Sequence, residues 1–360
     1  MNRSTFRPMK LAFVLAGLVT LAGCPNQSKN DSMTALNNGN KANGSKQFDT
    51  AIAEYQKAVE LMKENHLAWY GMGAAQAARA QWDKSSDAFA QAVQLEPDQA
   101  MYQMWYGISL FEKARMQARE QQAHKENKKP EEIAVDLSVV NFQTPQQHLQ
   151  KAIELNKDMW RAHYYLGQIY RAQDKPKDAA DEFSKSLTAS PREPAPYVAL
   201  GELYRKWDYS AEAIKVMSQG AQNVVGQNEV TDIWYVLAMG YDDQRKDKEA
   251  VDAFTKAIET SKGNQKAKFQ RGQAYFRMGQ FSDAKKDLEE FAKAGGASLE
   301  FNKQQANKML MDIAAKSAPP VVPGTDPKDP KAPKGPVDPK KAAVDNMLKK
   351  GMGGPPPKKK

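Results

Sequence analysis

Cys24 is the only cysteine in the 360-residue chain, and its thiol is a candidate for covalent modification. A lone cysteine can form neither a disulfide within the chain nor a cysteine-based zinc site. The stretch GMGAAQ at 71–76 begins like a dinucleotide-binding fingerprint but lacks the third glycine. Histidines occur without the spacing of a metal site, at His66, His124, His148 and His163. We therefore expect no enzyme, no cofactor and no metal site.

The residues before Cys24 explain its position. Arg3, Arg7 and Lys10 precede an almost unbroken apolar run over 11–22. This order is typical of an export signal, and the run is shorter than the ~20 residues that span a bilayer. The segment Leu21-Ala22-Gly23-Cys24 resembles the lipobox of bacterial lipoproteins.

This resemblance implies a lipid anchor at Cys24. The thiol would receive diacylglycerol, residues 1–23 would be removed as a lipoprotein signal peptide, and 24–31 would be a lipidated linker. Pro25, rather than aspartate, follows the cysteine. In this family that favours the outer membrane, so we expect a cell-envelope protein facing the periplasm. The alternative is an ordinary signal peptide with a chance cysteine nearby.

The middle of the chain repeats itself. GMGAAQAARAQWDKSSDAFAQAVQLEP at 71–97 aligns with YLGQIYRAQDKPKDAADEFSKSLTASP at 165–191. A small residue recurs in steps of mostly 34 residues, at Gly39, Gly73, Gly107, Gly167, Gly201, Ala238 and Gly272. The period resembles that of tetratricopeptide (TPR) repeats. The resemblance predicts an all-α, right-handed solenoid over 32–316, with about seven helix-turn-helix repeats and a C-terminal capping helix.

The TPR resemblance also predicts a binding groove. In that family, positions 5 and 9 of each first helix face the concave side. These positions predict a peptide-binding groove at Tyr70, Met104, Tyr164, Tyr235, Phe269, Gln168 and Met239. A mixed-charge rim sets Arg171, Arg205 and Lys206 against Asp242 and Asp243. The alternative is that the aromatic residues only pack within their repeats.

One repeat contains an insertion, at about 112–144. It begins as a charged helical extension and then passes through Pro130 into IAVDLSVVNF. One interpretation is an elongated hairpin that packs back on its own repeats. The other is an exposed arm that contacts a partner.

The last region, 317–360, holds eleven of the twenty prolines, ten lysines and four aspartates. It has too little apolar surface to fold and is predicted to be a disordered, extended Pro/Lys-rich tail. The tail carries +6 of the formal net charge of +9 and the signal region +3, which leaves 24–316 neutral. We expect no nucleic-acid binding. The tail is either a solvated spacer or a contact with an acidic surface such as peptidoglycan.

These features favour a membrane-anchored scaffold. It would bind protein partners in the concave groove and support assembly of an envelope complex, similar to pilotin and envelope-assembly adaptor lipoproteins. The alternative is a glycan- or small-ligand-binding envelope protein in which the insertion closes the groove.

Replacing Cys24 with serine is expected to release the protein from membranes without changing its fold, because durable membrane binding depends on the acyl chains at this residue. Membrane fractionation and thermal melting of both forms check this expectation. A Cys24→Ser protein that still pellets quantitatively with membranes would contradict the lipid anchor.

Overall fold

Each period of the sequence folds into a pair of packed helices. The structure, a computed structural model, describes residues 25–226, 229–294 and 299–317. The predicted signal peptide, Cys24 and residues 318–360 of the tail lie outside the described residues. The seven pairs are α1 (Pro25–Gly44) with α2 (Phe48–Leu61), α3 (His66–Ala78) with α4 (Trp82–Leu95), α5 (Ala100–Glu126) with α6 (Gln143–Leu155), α7 (Trp160–Ala172) with α8 (Pro176–Ala189), α9 (Pro194–Lys206) with α10 (Ser210–Asn223), α11 (Thr231–Asp243) with α12 (Asp247–Thr260), and α13 (Gln265–Arg277) with α14 (Phe281–Lys293). A last helix, α15, spans Glu300–Lys316.

The helices form two packing units, one up to Asp98 and one from Gln99 onward. Within the first unit, α1 packs on α3. Within the second, the first helices of successive pairs contact one another, α5 with α7, α7 with α9, and α9 with α11. No strand occurs among the described residues. The predicted all-α fold class is confirmed.

A close contact between a small and a large residue holds the helices of a pair together. Gly167 on α7 faces Phe183 on α8, and a Cβ built on the glycine would lie 2.7 Å from the ring. Phe183 itself is fully buried. The same contact, 16 residues apart in sequence, recurs at Gly39 with Tyr55, Gly73 with Phe89, Gly201 with Met217, and Gly272 with Leu288. The two helices can therefore approach closely where the first helix has a small residue.

The turn between the two helices is also repeated. In six of the pairs it contains a residue with positive φ, between 55° and 73°, at Lys46, Ala80, Asp174, Asp208, Arg245 and Gly279. The next residue donates its backbone N–H to the carbonyl five positions earlier, as Gln81 does to Gln76 at 2.9 Å. This is the left-handed cap that commonly ends a helix. Only one of the six turns uses glycine, so the other five hold a side chain in a conformation that L-residues disfavour.

Residues 25–31 of the predicted linker at 24–31 are the first part of α1. Pro25 is the first residue of that helix. A proline suits this position because the first helical N–H has no partner in the helix and the fixed φ of proline matches helical backbone.

The insertion packs back on its own repeat, as the first of the two interpretations expects. Helix α5 continues to Glu126, and 3₁₀ turns follow at Pro130–Glu132 and Leu137–Val139. Phe142 closes the insertion: it is 2% exposed and stacks on Phe111 with ring centroids 4.9 Å apart. Two large aromatic rings therefore fix both ends of the insertion to one cluster.

Helix α15 covers the end of the second unit. Its Ala306, Leu310 and Ile313 are buried against Phe291 and Leu288 of α14. The three are spaced four and three residues apart and therefore share one face of α15. The polar side of α15 leaves the last repeat with a solvated surface.

Replacing Ala80 with glycine is expected to stabilise the protein by about 0.5–1 kcal/mol. Relief of the left-handed backbone strain raises the free energy of unfolding by about 1–2 kcal/mol. The larger conformational entropy of glycine in the unfolded chain removes about half of that gain. Urea denaturation measures the change. The control is Ala78→Gly, in the last turn of α3, which should lose up to about 1 kcal/mol. A loss in both variants would contradict the positive φ at Ala80.

Replacing Phe142 with alanine is expected to lower the free energy of unfolding by about 3–5 kcal/mol, because the variant leaves a cavity beside Phe111. The matched control is Val139→Ala in the same insertion. Val139 is 81% exposed, so its truncation should change stability by less than about 0.5 kcal/mol. Equal effects of the two variants in chemical denaturation would show that Phe142 does not anchor the insertion.

Candidate functional site

Four of the predicted groove residues lie one helical turn apart in two pairs. Tyr164 and Gln168 are on α7, and Tyr235 and Met239 are on α11. All four side chains are half-buried. Residues four apart share one face of a helix. Each pair therefore presents an accessible edge on the first helix of its repeat.

The tyrosines serve both the core and the surface. Tyr164 has its ring centroid 5.9 Å from that of Phe183, and Tyr235 lies 6.0 Å from Phe254. Tyr70 makes the equivalent contact with Phe89 at 5.6 Å. Burial raises the pKa of the hydroxyls of Tyr164 and Tyr235 above their ordinary value. Both hydroxyls therefore stay neutral at physiological pH and act as hydrogen-bonding groups rather than charges.

Two predicted groove residues are in the core instead. Met104 and Phe269 are each only 3% exposed. Met104 packs in the cluster that includes Phe142 of the insertion. The ring centroid of Phe269 lies 4.8 Å from that of Phe291, in the cluster to which α15 also contributes. The groove assignment is wrong for both because an element outside the regular repeat supplies apolar surface beside each of them.

Three adjoining cavities in the second unit form a trough across α7, α9 and α11. They measure about 480, 580 and 640 Å³, and Glu202 lines all three. Tyr164 and Gln168 line the trough, together with Tyr165 and Val198. Its charged lining residues are nine acids, Glu112, Asp136, Asp174, Glu202, Asp208, Glu229, Asp232, Asp242 and Asp243, and five bases, Arg115, Arg171, Arg205, Lys206 and Arg245.

The insertion forms one wall of the trough. Leu137, in the second 3₁₀ turn, lines two of the three cavities. It also packs against the cluster of Met104, Phe111 and Phe142. From the sequence, an insertion that closes the groove is expected only in the small-ligand alternative. The apolar residues of IAVDLSVVNF indicate that the insertion packs on something, but the sequence does not show which surface they contact.

Ion pairs tie neighbouring first helices together along the trough. Arg205 of α9 donates two hydrogen bonds to Asp243 of α11, at 2.7 and 3.1 Å. Arg171 of α7 lies 3.4 Å from Glu202 of α9. Of the predicted rim, Arg205 and Asp243 do pair, whereas Glu202 is not among the predicted groove residues. It lies 34 residues after Gln168, at the same repeat position, and this spacing is the sequence signal that marks it.

The trough also contains a buried carboxylate, that of Glu112. This residue is 7% exposed and accepts a hydrogen bond from the Tyr165 hydroxyl at 3.2 Å. Arg115 lies 2.6 Å from the same carboxylate. Burial and the nearby Glu112 charge together raise the pKa of Tyr165. Glu112 is therefore a fixed, paired group of the trough rather than a free acid.

The buried histidine has a structural role. His163 is 5% exposed, and its two ring nitrogens lie 2.6 Å from Glu182 and 2.9 Å from the carbonyl oxygen of Lys157. Both neighbours accept hydrogen bonds, so the ring links α7 to α8 and to the preceding turn. Across the part of the chain that the structure describes, no group of three or more His, Cys, Asp or Glu residues is placed to hold a metal ion. Over the same residues, no helix is long and apolar enough to cross a bilayer.

Comparisons with known proteins identify the repeats. Models of the tetratricopeptide repeat match residues 146–194, 231–264 and 266–294. No curated protein sequence matches the chain.

Solved structures resemble the fold. PilF of Pseudomonas aeruginosa is 16% identical, with a TM-score of 0.51, over 69% of this chain and 99% of PilF. MamA is 18% identical with a TM-score of 0.41, over 54% of this chain and 92% of MamA. YrrB, described as a TPR protein with an unusual peptide-binding site, is 18% identical with a TM-score of 0.42, over 62% of this chain and 99% of YrrB. Together with the repeat geometry, the matching models show that the chain carries tetratricopeptide repeats.

Proposed function

We propose that the protein is a lipid-anchored scaffold of the bacterial cell envelope that binds extended segments of partner proteins in the trough and has no catalytic activity of its own. The trough itself is the observation that carries this proposal. It is longer than a single side-chain pocket, because its three cavities adjoin at Glu202. TPR folds generally act as protein-binding scaffolds, which supports the same interpretation.

The chemistry of the trough suits a peptide. Tyr164 and Tyr165 meet edge to face, with ring centroids 5.3 Å apart, and offer aromatic contact area at low entropic cost. Gln168 adds an amide that can pair with a peptide backbone. Aromatic residues dominate the energetics of many protein interfaces. These groups would contact the backbone and apolar side chains of an extended segment.

The envelope address rests on the residues before Cys24. The basic residues, the apolar run and the lipobox-like segment occur in the order of a lipoprotein signal. Acylation of Cys24 would hold the repeats at the membrane surface, and Pro25 favours the outer membrane facing the periplasm. Support for assembly of an envelope complex is part of this proposal.

A second candidate is the binding of a glycan or another small ligand. The position of Leu137 favours it, since the insertion forms a wall of two of the cavities. The many charged side chains of the trough favour a peptide instead. A glycan site typically offers free amide groups beside an aromatic ring, whereas the ion-paired arginines and carboxylates of the trough already bind one another.

A photo-crosslinking residue placed at Gln168 or Val198 is expected to give discrete protein adducts in intact envelopes. Leu137→Asp should remove these adducts, because it places a charge on the apolar wall. Immunoblotting of the crosslinked samples measures the result. Val139→Asp, two residues away and on an 81% exposed side chain, is the matched control and should keep the adducts.

Adducts that persist equally in the Leu137→Asp protein would contradict binding in the trough. Thermal melting of both variants shows whether the insertion remains packed. If protein adducts are absent but purified envelope glycans protect Tyr164 from chemical modification, the second candidate replaces the first.

Replacing Tyr164 and Tyr235 together with alanine tests the double role of these rings. Each is half-buried against a core phenylalanine, so we expect a loss of about 1–3 kcal/mol per ring, below the 3–5 kcal/mol of a fully buried aromatic residue. Chemical denaturation measures the loss. Tyr209→Ala, on a ring that is 57% exposed, is the control and should change stability by less than about 0.5 kcal/mol. A loss of about 3 kcal/mol or more for each ring would place both tyrosines wholly in the core.

A further inference from the structure

The trough is acidic although the repeats as a whole are not. Its nine acidic and five basic lining residues give a formal charge of −4. Residues 24–316 are neutral in sum, so the negative charge is concentrated at this surface. A cleft lined by charge of one sign attracts groups of the opposite sign.

Five of these acids are available to a ligand: Asp136, Asp174, Asp208, Glu229 and Asp232. All five are exposed and make no ion pair with any other residue that the structure describes. In contrast, Glu112, Glu202 and Asp243 already face arginines. The unpaired acids are spread over the three cavities of the trough, which suits several cations spaced along an extended chain.

A segment with matching chemistry belongs to this chain. Residues 317–360 contain ten lysines, four aspartates and eleven prolines, a formal charge of +6. Proline-rich segments favour the extended polyproline conformation and dock on aromatic-lined grooves. Tyr164 and Tyr165 provide such rings in the trough.

The segment is also long enough. It begins after α15, which packs on α14 and α13 in the same unit as the trough. At about 3.1 Å per residue, 44 residues reach up to roughly 140 Å. Neighbouring helix axes lie about 8–10 Å apart, so the few repeats between α13 and α9 are well within reach. A tether of this kind gives an effective concentration in the millimolar range.

We propose that the acidic trough is a docking surface for the chain's own Lys/Pro-rich segment 317–360. Lysine side chains contact the unpaired acids, such as Asp208, Glu229 and Asp232, and prolines lie on the exposed edges of the tyrosine rings. The contact is weak for each ion pair and is maintained by the covalent tether. It needs no partner protein, so it stands or falls independently of the proposed scaffold function.

A zero-length carboxylate–amine crosslinker applied to the full chain in detergent tests this contact. Mass spectrometry should find amide links from lysines 328–360 to the unpaired acids of the trough, such as Asp208, Glu229 or Asp232. The links should be lost at about 1 M salt, where the screening length falls to about 3 Å. A mixture of isotopically light and heavy protein identifies the source, since docking within one chain gives only unmixed pairs. Mixed pairs would assign the site to a second copy and overturn the proposal.

Variants that replace acids with neutral amides provide a second test and its control. Glu229→Gln with Asp232→Asn should lower the links to Asp208 by about threefold to tenfold, since two exposed ion pairs are removed. Asp178→Asn with Glu212→Gln removes two exposed acids outside the trough and should leave the links unchanged. Tail links spread evenly over surface acids, or equal losses in both double variants, would overturn the proposal.

Discussion

The contact between a glycine of the first helix and a large residue of the second sets the distance between the helices of a pair. At Gly167 and Phe183, a single added carbon would lie 2.7 Å from the ring. Because the helices approach this closely, Phe183 fills the space between them and still reaches Tyr164 at 5.9 Å. The tyrosine then has one face on the core and one edge at the surface. The position of the trough therefore depends on residues that do not line it.

Regular features of the repeats could be predicted from sequence, and irregular ones could not. A small residue followed by a large one 16 positions later, as in Gly167 and Phe183, recurs at a fixed period. Each period is therefore predicted to fold into the same helical hairpin. Met104 and Phe269 occupy the same repeat position as Tyr164, yet the insertion and α15 bury them. Repeat position tells which way a side chain points but not what else covers it. Leu137 shows the converse case, since long-range packing brings an insertion residue to the trough.

Charge in this protein is organised by surface rather than by domain. The neutral sum over the repeats conceals ion pairs such as Arg205 with Asp243, which link one first helix to the next. Exposed pairs contribute little stability individually. Along the trough they nevertheless fix the arrangement of arginine and carboxylate groups, and they separate the paired acids from those open to a ligand, such as Asp232. Net charge by region therefore describes the tail well and the trough poorly.

The insertion also changes the order in which the chain is expected to fold. In the regular repeats the glycine and its large partner are 16 residues apart, whereas Gly107 and Leu149 are separated by 42. Closing the longer loop costs about 0.9 kcal/mol more in chain entropy. Contacts between distant residues form more slowly than local ones. The repeat that carries the trough wall should then close after its neighbours, so a nascent chain acquires its regular hairpins before it acquires a binding surface.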